Sequence, residues 1–266
     1  MTDGHVTVPS RILAPDASPQ EWSHIEARSR GHGGSIEAAV NIPVVRSGAD
    51  LIVIDVGGGG RYQNTEGRLP VSLAEAGIDP LAVTKVALTH AHPDHLWGAL
   101  GRDGQLRFPN ATFHISPREW DFWWNLDVNS TVLSPLVPYA IGARRVFDAI
   151  RDRVVMAHPG TEVAAGLQAV DTPGHTPGHL AFVLHGREPL LFAGDAFTNE
   201  IVSVERPTWR YGNDADPDQA VRTRMRLIDE LARGGSMLMA AHFAHPGLGV
   251  IERVGEQARF EPLGRS

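Results

Sequence analysis

The sequence predicts an α/β fold, and three observations carry that prediction. Short apolar, strand-like runs alternate with helical segments along most of the chain. They gather into two β-rich halves flanked by helices, which suits a layered sandwich around one core. The residues best equipped for chemistry stand at or just beyond the ends of the apolar runs, where α/β proteins place their sites.

In chain order, residues 1 to about 35 read as an irregular arm with one short helix around Trp22 to Arg30, and residues 36–266 as a single domain. Strands are expected at Ala38–Ile42 and Leu51–Asp55. The second ends in Val56 and then Gly57 to Gly60, but no GxGxxG or Lys-Ser/Thr pattern follows, so this is not a nucleotide loop. Val71 to Gly77 reads as a helix closed by glycine, Val83–Leu88 as a buried strand, and Leu96 to Leu100 as a helix opening. Asn110–Ile115 is a further strand. Ser116, Pro117 and Glu119 then form the pattern of a capping box, opening a helix through Asn125. Residues 126–138 read as loop or lid and Tyr139 to Ile150 as a helix. Beyond Val154 the pattern turns β-rich, with runs at Val154–Met156, Leu167–Val170, Leu180–Leu184 and Pro189–Ala193. A helix over Pro217 to Arg233 stops at Gly234 and Gly235, and Val250 to Phe260 reads as a closing hairpin.

The densest signal is Thr89-His-Ala-His-Pro-Asp-His-Leu-Trp-Gly98. It packs His90, His92, Asp94 and His95 into six consecutive positions at the end of an apolar strand. His175, Asp195 and His242 follow in turns after further apolar runs. Neutral imidazole and carboxylate are the ligands of zinc and similar divalent ions.

Composition narrows the function. The 266-residue chain has 42% hydrophobic residues, enough to bury a full core. Its formal charge is −7 with no basic run, which argues against a nucleic-acid surface. It has no cysteine, which excludes disulfides, thiolate-bound zinc and a cysteine nucleophile. No signal-peptide or membrane-length apolar stretch is present, so a cytoplasmic protein without a membrane partner is expected.

The ordered set His90-x-His92-x-Asp94-His95, His175, Asp195 and His242 resembles the signature of the metallo-β-lactamase superfamily of hydrolases. The resemblance implies a four-layer αβ/βα sandwich with a metal pair at one edge. His90, His92 and His175 would hold one ion, Asp94, His95 and His242 the second, and Asp195 both, with Asp94 and Asp195 as the catalytic carboxylates. Two such ions can share a water and lower its pKa towards ~7, giving a hydroxide nucleophile without Ser or Cys. Zinc is the expected metal, with iron or manganese as alternatives. Asp55 matches a family position that supports the metal loop, and it equally suits a turn residue at the end of a strand.

Flanking stretches resemble methyl parathion hydrolase-like and lactonase-like members in particular: Phe108-Pro-Asn-Ala111, Glu119-Trp-Asp-Phe-Trp123, Asp216-Pro217, Thr223-Arg224 and His242-Phe-Ala-His-Pro-Gly-Leu-Gly249. Homoserine lactonases of the fold place a tyrosine three positions beyond the bridging Asp, where this chain has Thr198 after Phe197. Trp120, Trp123, Trp124, Phe197 and His245 are candidates to line an apolar pocket, although the tryptophans at helical spacing equally suit the core. The expected reaction is hydrolysis of a neutral, apolar, small-molecule ester or lactone, with phosphotriester promiscuity. Thioester or β-lactam hydrolysis, an iron-dependent dioxygenase of the same fold and a non-catalytic metal-binding module are the alternatives. The arm and the tryptophan-rich segment are available for a homodimer contact.

Overall fold

The structure is a computed structural model that describes residues 1–29, 31–255 and 257–263. Arg30, expected at the end of the first helix, and Glu256, inside the expected closing hairpin, lie outside the described residues.

Fifteen strands form three sheets among the described residues. A five-stranded sheet takes β4 (Val44–Ser47), β5 (Asp50–Ile54), β6 (Lys85–Ala87), β7 (Thr112–Ile115) and β8 (Val154–Met156) in that order. Its β5 to β8 are parallel. A seven-stranded sheet runs from β9 (Glu162–Ala164) and β10 (Leu167–Asp171) through β11 (Leu180–Leu184), β12 (Leu190–Phe192) and β13 (Met237–Met239) to β14 (Leu248–Val254) and β15 (Gln257–Pro262). Only its β12–β13 pair is parallel.

Side-chain alternation along these strands builds the layers. Ile52 and Ile54 of β5 pack with Leu180 and Phe182 of β11, so the two large sheets lie face to face. Leu51 and Val53 point the other way, into a core shared with Trp123 of α5 (Pro117–Asn125) and Ala143, Val146 and Phe147 of α6 (Val137–Ile150). On the opposite side Ala181 and Leu191 meet Leu227, Ile228 and Leu231 of α7 (Pro217–Gly234). The result is the expected αβ/βα order. Asp216 caps α7 by accepting the Gln219 N–H at 2.9 Å, and Gly235 ends it at φ +60°.

The irregular arm expected over residues 1–35 is instead folded chain. β1 (Thr2–Pro9) pairs antiparallel with β3 (Ser35–Asn41), β2 (Gly31–His32) completes a third sheet, and α1 (Ser10–Leu13) and α2 (Pro19–Arg28) join them. The alternation Val6, Val8 buries one face of β1 in the main core. Asp3 is fully buried and explains the glycine run: its Oδ2 accepts the N–H groups of Gly58 (3.0 Å) and Gly59 (3.2 Å), and its Oδ1 that of Leu69 (2.8 Å), the first residue of α3 (Leu69–Glu75). The glycine-rich loop cradles an anion that the chain itself supplies. Among the described residues no helix is long and apolar enough to cross a membrane.

Candidate metal centre

The motif strand β6 ends at Ala87, and the chain turns through Thr89 to His92 into the short helix α4 (Pro93–Leu96). The glycine loop lies directly against this turn. Gly98 N–H donates to Gly57 O at 2.7 Å, and a Cβ at Gly98 would run into Val56 O. The loop can therefore come no closer, and His95 O accepts the Val56 N–H at 2.8 Å from the same segment.

Four turns, after β6, β10, β12 and β13, bring all seven sequence-selected residues together. Ligand atoms of His90, His92, His175 and Asp195 lie within 4.8 Å of one another, and so do those of Asp94, His95 and His242. Asp195 faces both groups. Its Oδ2 is 3.3 Å from His175 Nε2, and its Oδ1 is 3.2 Å from both His95 Nε2 and His242 Nε2. Asp94 Oδ2 completes the second group, 3.3 Å from His242 Nε2.

These contacts fit cations better than they fit one another. Asp195 Oδ1 is buried and makes no aligned hydrogen bond, despite two nitrogens at 3.2 Å. His92 Nδ1 sits 3.0 Å from His90 Nε2 and 2.8 Å from His175 Nε2, so three imidazole lone-pair positions converge on one point. At His95 burial opposes the charged form, yet Asp195, Asp94 and Asp55 hold it well above the ordinary histidine range. His242 is pushed up to about 10 against the same burial cost, chiefly by Asp195. Asp94 is held down to about 2, where burial is outweighed by His95 and His242. Protons here balance negative charge that a divalent ion would balance.

The opposite ring nitrogens are anchored, which fixes the aim of each imidazole. His90 Nδ1 meets Thr89 Oγ1 at 3.0 Å, His95 Nδ1 meets Asp55 Oδ2 at 2.8 Å, His175 Nδ1 meets Asp214 Oδ1 at 2.9 Å and His242 Nδ1 meets Ala39 O at 2.7 Å. Asp55 also accepts the Thr89 N–H (2.8 Å) and hydroxyl (2.7 Å), and holds φ +56°, a left-handed conformation costly for a residue with a Cβ.

Sequence reasoning missed several supporting groups. Glu119 does not close the expected capping box: Ser116 Oγ accepts from Arg118 N at 3.2 Å, while the Glu119 carboxylate is buried and turned inward. It accepts the Ala91 N–H (2.9 Å), Trp123 Nε1–H (2.6 Å), Thr176 hydroxyl (2.6 Å) and Gly178 N–H (3.2 Å), tying the motif turn to the His175 turn. Burial pushes its pKa up. Asp214 is backed by Arg224, a buried guanidinium on α7 that also donates to Trp209 O at 2.8 Å. His179 Nε2 accepts the Asp195 N–H at 3.1 Å; burial, then His175, lowers its pKa to about 3, so it stays neutral. Glu119 and His179 do stand beside residues the sequence singled out, but Asp214 carries no local signal.

A cavity of about 390 Å³ opens over the cluster, lined by His92, Asp94, His175, Asp195 and His242 at its base. Its walls come from β1 and α1, notably Val6, Val8 and Ile12, and from Tyr62, Tyr139 and Tyr211. The five residues expected to line it do not. Trp120 stacks on Phe147 at 4.2 Å and on Trp124 at 5.9 Å, because their face of α5 meets α6. Trp123 is fully buried behind His92, and Phe197 packs on Phe243 while Thr198 takes the cavity side. His245 turns to Asn41 Oδ1 at 2.8 Å and lines a different cavity.

A four-layer sandwich carrying two adjoining His/Asp groups that share one carboxylate defines the class of dinuclear metal-dependent hydrolases. The chain belongs to the metallo-beta-lactamase superfamily, whose family model matches residues 36–242. It is 38% identical over 112 residues to the uncharacterized protein YobT of Bacillus subtilis, a match that spans 42% of this chain and 45% of that protein. It is 33% identical over 135 residues to the N-acyl homoserine lactonase AttM of Azorhizobium caulinodans, over 45% of this chain and 43% of the lactonase. Its structure superposes on AidC, a dizinc quorum-quenching lactonase, with TM-score 0.91 at 27% identity, covering 100% of this chain and 93% of AidC.

Proposed function

We propose that the protein hydrolyses a small neutral ester or lactone with the help of two zinc ions. The observation that carries the reading is the split of Asp195: one oxygen faces His175 and the other faces His95 and His242, beneath a walled cavity. His90, His92 and His175 would hold one ion, Asp94, His95 and His242 the other, and Asp195 both. When bound, the pair supplies an activated water and polarises the substrate carbonyl.

The chain's own residues do the rest. Asp55, Thr89, Asp214 and the Ala39 carbonyl hold four imidazoles in register. Asp94 and Asp195 border the cavity, and either would hold the attacking water's proton. Val6, Val8 and Ile12 give the substrate an apolar wall, and a cavity of about 390 Å³ suits a molecule of modest size. The lactonase names of AttM and AidC support the lactone branch.

The test is a panel of initial rates on an aryl ester, γ- and δ-lactones, an acyl-homoserine lactone, a phosphotriester, a glutathione thioester and a β-lactam, with and without chelator. Chelator-sensitive turnover concentrated on esters or lactones is the expected result. Metal-replete protein that turns over none of them would overturn the proposal.

A further inference from the structure

The chain has three tyrosines, and all three line the one cavity above the metal centre. Two of them satisfy each other. The hydroxyls of Tyr62 and Tyr139 are 3.1 Å apart with their rings edge to face, and the Tyr139 ring lies 5.8 Å from that of His92. Tyr211 differs. Its residue is only 7% exposed and its ring lies 5.8 Å from that of His175, yet among the described residues its hydroxyl has no hydrogen-bond partner. The hydroxyl keeps some exposure, and the residue lines the cavity. A buried ring with one free polar end is a donor waiting for a ligand.

The turn that carries Tyr211 is pinned on every side. Gly212 N–H donates to Ile12 O at 2.7 Å, Asp214 N–H to Tyr211 O at 3.0 Å, and Ala215 N–H to His175 O at 3.0 Å. The same turn presents Asp214 to His175, so Tyr211 and the His175 ring are placed by one piece of backbone.

We propose, resting on the hydrolase reading above, that Tyr211 is a catalytic residue whose phenol donates a hydrogen bond to the substrate oxygen on which negative charge develops. As the water oxygen bonds to the acyl carbon, the carbonyl oxygen gains the electron pair. As the acyl–oxygen bond then breaks, the carbonyl re-forms and the bonding pair passes to the leaving oxygen, which takes up the proton that Asp94 or Asp195 received from the water. The Tyr211 O–H stabilises that charge and keeps its own proton. A fixed donor of this kind needs no reorganisation when the charge appears.

Two measurements on metal-loaded Tyr211→Phe test this. With an aryl ester or lactone that the wild type cleaves, kcat is expected to fall by about 10–100-fold while KM changes little. With phenylboronic acid, a non-reacting oxyanion mimic, calorimetric affinity is expected to weaken about 5–10-fold, as for loss of one hydrogen bond. His185→Gln, at an exposed position outside the cavity, should show neither loss. Loss of bound metal in Tyr211→Phe, or kcat and boronate affinity both within about twofold of wild type, overturns the proposal. Failure of the wild type to cleave any ester or lactone is a separate result, which removes the hydrolase reading instead.

Discussion

Glu119 accepts the backbone N–H of Ala91 at 2.9 Å, gripping the residue between His90 and His92 from a helix 28 positions further on. Its other oxygen takes Thr176 and Gly178, next to His175. Glu119→Ala leaves four buried donors without an acceptor, each worth about 1–3 kcal/mol if left unsatisfied. A drop of about 3 kcal/mol or more in urea-unfolding stability is expected, together with weaker metal binding. An unchanged midpoint would show that the clamp does not restrain the two turns.

Asp195→Asn removes the charge that both groups share. Each half keeps its histidines, but the bridge becomes a neutral amide able to offer only one oxygen. Occupancy of both ions, measured by elemental analysis after dialysis, should fall together, and activity should fall by about 100-fold or more. Loss of one ion alone would mean that Asp195 serves one half only.

Gly98→Ala probes the contact between the motif and the glycine loop. The added methyl meets the carbonyl oxygens of Val56 and Gly57, both backbone atoms that have no rotamer to escape into. Overpacking of this kind costs about 1–3 kcal/mol and displaces neighbouring backbone. The expected variant has a lower melting temperature and at least a tenfold loss in metal affinity. Wild-type values for both would show that the loop yields.

His114 sits on β7 with one ring nitrogen 3.0 Å from Thr112 Oγ1 and the other unpartnered. Burial, and then Lys85, lowers its pKa to about 4. Between that value and the unfolded value of about 6.5, the unfolded chain binds a proton that the folded chain refuses. Stability from this group is complete above about pH 6.5 and is lost as pH falls through that window, by up to about 3 kcal/mol. In His114→Gln the loss should vanish, so the wild-type-minus-variant difference in urea midpoint should change between pH 4.5 and 7.5. A difference independent of pH would contradict the assignment.

What the sequence disclosed and what it hid follow from the range of the interactions. The His90–His95 stretch and the strands around it were readable because their signals are local: ligand density, apolar runs and a following turn. Glu119 was misread for the same reason, since the Ser-x-x-Glu spacing has a local meaning that tertiary packing overrode. Asp214 is joined to His175 across 39 positions, a pairing with no sequence period. Trp120, Trp123 and Trp124 share one broad side of α5, so their spacing could not say whether that side met the cavity or the core. β1 was hidden by prolines and glycine around a two-residue valine alternation, and its partner β3 lies beyond two helices.

One contact sets a clock. His242 reaches its place by donating to Ala39 O, 203 positions away, and Asn41 Nδ2 holds the adjoining turn through Phe243 O at 2.8 Å. At roughly 5–20 residues per second of synthesis, about 10–40 s separate the emergence of those two partners. For the last 147 of those positions Asp94 and His95 are already made but their third companion, His242, is not. In a chain made from its N-terminus, the group of His90, His92, His175 and Asp195 is therefore complete before the group of Asp94, His95 and His242, which must wait for its last member.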